Sequence, residues 1–129
     1  MIAEEAFVEV LFPTTEKPRE PGLLHICYCL AVRPPLALVA DTTSVLWPPA
    51  IPLPFGVRIF FQAEATALNQ QRAFRLHLNR QARIPLTQQW FPKLGMPHQG
   101  VIGVASTRLR QDLYEMTLEL VRRYERNIE

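Results

Sequence analysis

His25, Cys27 and Cys29 stand two residues apart in an apolar run, and all three are side-chain types that bind zinc. On one strand, same-face residues repeat about every 6.7 Å, so the outer two lie ~13 Å apart, whereas zinc holds its ligands at ~2.0–2.3 Å. One ion cannot collect all three from a regular strand. His77 and His98 are the remaining histidines, and no second close pair of ligand types accompanies them, so the spacing predicts no metal and no cofactor. The same repeat puts the two cysteine Cα atoms ~6.7 Å apart, at the outer limit of disulfide geometry. The expectation is two free thiols in a reducing compartment, packing as small apolar groups.

A second constellation is Leu38-Val39-Ala40-Asp41-Thr42-Thr43-Ser44, followed about sixty residues on by Val101-Ile102-Gly103 and a helix-like segment. This pattern resembles the active-site sequences of aspartic peptidases of the retropepsin type, in which apolar residues lead into Asp-Thr-Gly-Ser/Ala and a later apolar pair plus Gly precedes a short helix. The resemblance implies a dimer in which each chain contributes one aspartate, one carboxyl acting as acid and the other as base on a bound water. Carried over, Asp41 would be the catalytic carboxylate and Thr42 the residue bracing its loop. Thr43 stands at the family's glycine, and no Gly-rich flap lies between Gly56 and Gly95. Without the resemblance, residues 41–44 are a turn whose side chains satisfy their own backbone. No other catalytic signature stands beside it. The five glycines build no phosphate-cradling loop, and neither serine, Ser44 or Ser106, sits in a Gly-x-Ser-x-Gly elbow.

Arg72, Arg75, Arg80 and Arg83, with His77 and Phe60 nearby, form a third set, since arginines interleaved with aromatics on a β-surface can hold single-stranded nucleic acid. The net charge is only +2; residues 1–55 carry three basic and six acidic side chains, and 56–129 carry eleven and six. That bias is mild and no nucleic-acid signature accompanies it, so a solvated strand face is the preferred reading and a nucleic-acid partner is not favoured.

The fourth set is apolar and loop-borne. The segments Trp47–Phe55 and Trp90–Pro97 are proline-rich yet carry Trp47, Phe55, Trp90, Phe91 and Met96, residue types enriched at interface cores. With Leu109, Leu113 and Tyr124 of the tail, they are the expected interface residues; folding back as lids over the core is the alternative.

The elements that must position these groups follow from punctuation and period. Twelve prolines against five glycines cluster at 13–21, 34–35, 48–54 and 85–97 and mark connections. Between them Val8, Val10 and Phe12 alternate as one strand face, and Leu24, Ile26, Tyr28, Leu30 and Val32 as another, opposite His25, Cys27, Cys29 and Ala31. Residues 36–47 give one or two more strands around the 41–44 turn. Val57, Ile59, Phe61 and Ala63 give a further one, Phe74, Leu76 and Leu78 the next, and 101–105 the last. Residues 63–82 lack Gly and Pro and could instead be helical, with strand preferred in their second half. Residues 104–128 read as a helix capped by Ser106 or Thr107, with Leu109, Leu113, Met116, Leu120 and Tyr124 on one face; a short helix followed by a strand is the alternative.

The fold class expected is therefore α+β: an antiparallel sheet or sandwich of about six short strands with a C-terminal amphipathic helix, in one domain over residues 1–129. The apolar runs are shorter than the ~20 residues that span a bilayer, and Glu4 and Glu5 stand where a secretory leader needs bases, so the expected compartment is the cytoplasm. The functional expectation is a non-catalytic interaction or assembly module, homo-oligomeric or binding another protein. A retropepsin-like fold using Asp41, active or not, is the alternative, and a nucleic-acid-binding β-domain the third reading.

Overall fold

Pro34 and Pro35 cannot continue a hydrogen-bonded ladder, so they end one apolar strand and force an immediate return into the next. In the computed structural model, which describes residues 2–44 and 53–128 with side chains to residue 123, these strands are β2 (Leu23–Arg33) and β3 (Leu36–Thr43). The other elements are β1 (Ala6–Phe12), β4 (Val57–Phe60), α1 (Gln62–Ala67), β5 (Phe74–Pro85), β6 (Val101–Val104) and α2 (Thr107–Ile128). The strands form one antiparallel sheet in the order β4-β5-β3-β2-β1-β6. The architecture is α+β, a six-stranded antiparallel sheet with a C-terminal helix.

The sheet is strongly curled. Four inter-strand steps separate β4 from β1, about 19 Å on a flat sheet, yet the rings of Phe60 (β4) and Phe7 (β1) meet at 6.0 Å. Phe7 also touches Tyr28 and Phe74, and Phe60 stacks on Phe74 at 4.5 Å. These aromatics fill the concave side with Leu76, Leu78, Ala65, Leu68, Leu109 and Leu113. α2 lies over it, started by Ser106, whose Oγ accepts the Leu109 N–H at 3.2 Å. α1 bridges the gap between the edge strands: Arg58 of β4 holds Glu64 at 2.9 Å, and Asn69 donates to the Ile102 carbonyl of β6 at 3.1 Å.

The convex side buries a second core of Val8, Val10, Phe12, Cys27, Cys29, Ala37, Val39 and Ile84, covered by Ile2 and by Trp90 and Phe91. The proline-rich segment is thus a lid, pinned by the Leu11 N–H donating to the Trp90 carbonyl at 2.9 Å. Both faces of the sheet centre are buried, which is why the side of β2 bearing cysteines needs no polar residues.

Several strand expectations are corrected. Asp41, Thr42 and Thr43 are the end of β3, not a turn, because β5 pairs with them. β4 stops at Phe60; Phe61 is the N-cap and Ala63 lies within α1. Val32 packs in the convex core rather than with Leu24 and Ile26, because the β2–β3 register shifts between Cys29 and Ala31 and reverses the alternation. The second half of residues 63–82 is strand, and the tail is one helix.

Gly103 of β6 faces the α1 end so closely that a Cβ there would lie 2.5 Å from the Leu68 carbonyl oxygen, a backbone atom that cannot rotate away. Gly103→Ala should therefore cost about 1–3 kcal/mol in a denaturant titration; an unchanged midpoint would show that α1 is free to move off β6.

Candidate functional site

Asp41 is wholly buried on the convex side of β3, yet no apolar neighbour explains a carboxylate there. Its oxygens face two cations instead. Oδ1 lies 2.5 Å from His25 Nδ1, and Oδ2 lies 3.3 Å from an Arg80 guanidinium nitrogen. His25 comes from β2, where residues 25, 27 and 29 share the convex side; the zinc-type trio divides there, both thiols being free and buried while the imidazole turns to Asp41. Among the described residues no three His, Cys, Asp or Glu side chains converge on one point.

Arg80 reaches Asp41 because β5 bulges. Ala40 pairs with Gln81 but Asp41 pairs with His77, so residues 78–80 are looped out of the ladder. The bulge is braced by the Gln81 side-chain amide donating to the Leu78 carbonyl and by the Leu78 N–H donating to Gly56, both at 2.8 Å. Such an insertion re-aims a side chain, here the Arg80 guanidinium. Phe12 of β1 then lies beside both cationic heads, stacked on the His25 ring at 6.2 Å and 21° and facing the Arg80 guanidinium at 5.3 Å.

The environment separates the two histidines. The hydrogen bond to Asp41 raises the His25 pKa above 6.5, against the opposing effect of burial. Burial lowers the His77 pKa, and the neighbouring Arg75 charge lowers it further. His77 Nε2 is buried without a hydrogen-bond partner. Arg75 donates to Thr43 Oγ1 at 3.1 Å, and the Thr42 hydroxyl donates to the Ile26 carbonyl. Burial pushes the Cys29 thiol up to about 12 and Cys27 well above its usual value, so neither is a ready nucleophile.

No protein-family model matches this chain, and no curated protein does.

The residues singled out by sequence are therefore judged on geometry. The Thr42 hydroxyl ties the end of β3 to the Ile26 carbonyl of β2, and Asp41 is buried against His25 and Arg80. The Val101–Gly103 stretch lies on β6, separated from β3 by β1 and β2 in the strand order, yet Ile102 and the Thr42–Ser44 strand end line the same groove. The four arginines lie apart: Arg80 contacts Asp41, Arg75 bonds Thr43, Arg72 sits on the loop before β5 and lines the groove, and Arg83 lies beyond the bulge, beside Leu36 and Leu38. Of the apolar set, Trp90, Phe91, Leu109 and Leu113 are packed inside the chain's own cores, whereas Phe55 and Met96 are exposed. Trp47 and the Tyr124 side chain lie outside the described residues.

Sequence reasoning missed a groove of about 650 Å³ at the end of the sheet remote from the Pro34–Pro35 turn. Leu24, Ile26, Phe74 and Ile102 floor it, and His25, Thr42, Ser44, Asn69, Gln70 and Arg72 are among its polar lining. Its apolar wall was legible in the β2 alternation. Its rim was not, because that depends on α1 closing the gap beside β6.

Proposed function

We propose that this chain is a non-catalytic assembly module of the cytoplasm that associates with a second copy of itself through the groove end of the sheet. The observation that carries the reading is the groove, with Leu24 on its floor 52% exposed and the adjoining Leu23 77% exposed, on the strand whose middle is buried on both faces. A polar rim around an apolar floor is the composition of a protein-binding site. The acidic balance of residues 1–55, which contribute Leu24 and Ile26, against the basic balance of 56–129, which contribute Arg72, favours contact between unlike halves of two copies. Two free buried thiols fit a reducing compartment, and among the described residues no helix is long and apolar enough to cross a membrane.

Light scattering at micromolar concentration should give a mass above the 14.8 kDa of one chain. Leu24→Asp, which places an unpaired charge on the groove floor, should weaken association by about 2 kcal/mol or more while leaving the monomer folded. A 14.8 kDa species throughout the concentration range would overturn the reading.

A further inference from the structure

We propose that His25, which also lines the groove, and Arg80 together bind a phosphate-class oxyanion on the convex face beside it. The argument begins with charge. The charges facing His25 are Asp41 from β3 and Arg80 from β5; those facing His77 are Arg75, Asp41 and Arg80. One buried carboxylate is thus set between the Arg80 guanidinium and an imidazole that its own hydrogen bond helps to protonate. The cluster is cationic, and its surplus lies toward solvent: the side chains of His25 and Arg80 are 29% and 46% exposed, while that of Asp41 is 0% exposed.

The donors are also pre-set. His25 uses Nδ1 on Asp41, which leaves Nε2 as its outward donor, and a guanidinium with five N–H groups spends one nitrogen on Asp41 and keeps the rest of its fork. Held at the two oxygens of one carboxylate, His25 by a hydrogen bond and Arg80 by an ion-pair contact, and packed beside the Phe12 ring, both heads are placed before any ligand arrives, which removes part of the ordering cost of binding. A guanidinium fork beside an imidazolium matches phosphate better than a single carboxylate, since it offers several charge-assisted hydrogen bonds to a doubly charged group. The buried Asp41 therefore serves as a positioning residue that orients two cations, and it does not touch the ligand.

The test is a titration of the full chain with inorganic phosphate at constant ionic strength, following the His25 ring resonance by NMR, with exposed His98 as the internal control. The expected result is a saturable His25 shift with an upward movement of its titration midpoint, His98 unmoved, and affinity at least about tenfold weaker in Arg80→Gln. Should Arg80→Gln not fold, His25→Gln read by calorimetry carries the same expectation. No saturable shift, an equal response to acetate, or unchanged affinity in the folded variant would overturn the proposal. Light scattering in parallel keeps it apart from self-association, because phosphate binding is expected whether the chain is a monomer or not.

Discussion

Phe7→Ala should destabilise the fold by about 3–5 kcal/mol, read as a lowered midpoint in guanidinium unfolding, and it should do so more than any single change on the helix surface. Phe7 is completely buried and touches Tyr28, Phe60 and Phe74 at ring separations of 5.1, 6.0 and 5.8 Å. These contacts join β1 to β2, to β4 and to β5, so one ring holds together strands that a flat sheet would keep far apart. Truncation leaves a cavity bounded by three rigid rings and by a sheet whose curvature cannot relax locally, the circumstance in which large-to-small changes cost most. Phe61→Ala, one residue past Phe60 but 65% exposed, is the matched control and should shift stability by less than about 0.5 kcal/mol. A Phe7→Ala loss under about 1 kcal/mol would mean that the sheet does not close on this aromatic cluster.

The contrast between buried Phe60 and exposed Phe61, adjacent in sequence, shows how far the sequence could be read. Alternation identified β1, β2 and the first part of β5 because each has one face that meets a core, and the tail helix because its apolar residues recur at helical spacing beneath a serine cap. It failed where the backbone leaves its regular period. Val32 changes sides at a bulge, Phe61 ends a strand that alternation alone would continue, and Asp41 pairs with His77 through a register shift that no local pattern encodes. The same limit explains the site. His25 and Asp41 were each visible as chemical residues, but their partnership needs β2 and β3 to be neighbours, and Arg80 joins them only through the three-residue loop in β5. The lid was half legible: Trp90 and Phe91 are as apolar as an interface residue should be, and sequence cannot say whether such a residue meets its own core or another chain's.

The convex cluster predicts how stability varies with pH. Asp41→Ala should cost about 2 kcal/mol near neutral pH, below the 3–5 typical of breaking a fully buried pair, because His25 and Arg80 retain access to water once their partner is gone. Its larger signature is a change of slope. His25 has a folded-state pKa raised above 6.5 by the Asp41 hydrogen bond, so the folded chain holds more protons than the unfolded chain above that pH; this contribution is complete below 6.5 and is lost as pH rises through the raised value. His77 runs the other way. Its folded-state pKa is lowered from 6.5 by burial and by Arg75, so its contribution is complete above 6.5 and is lost as pH falls through the lowered value. The wild-type chain should therefore show a stability crest near pH 6.5, falling on the alkaline side through His25 and on the acidic side through His77. Asp41→Ala removes the largest interaction that raises His25 and leaves burial and Arg80, which lower it, against the smaller effect of a Thr42 backbone hydrogen bond, so the alkaline fall should vanish; it also removes the Asp41 charge that raises His77, so the acidic fall should remain and deepen. His77→Gln should do the reverse, removing the histidine part of the acidic fall and keeping the alkaline one. Denaturant midpoints across about pH 5–8 for the three proteins decide the matter; an alkaline fall that survives in Asp41→Ala would show that His25 does not draw its proton affinity from Asp41.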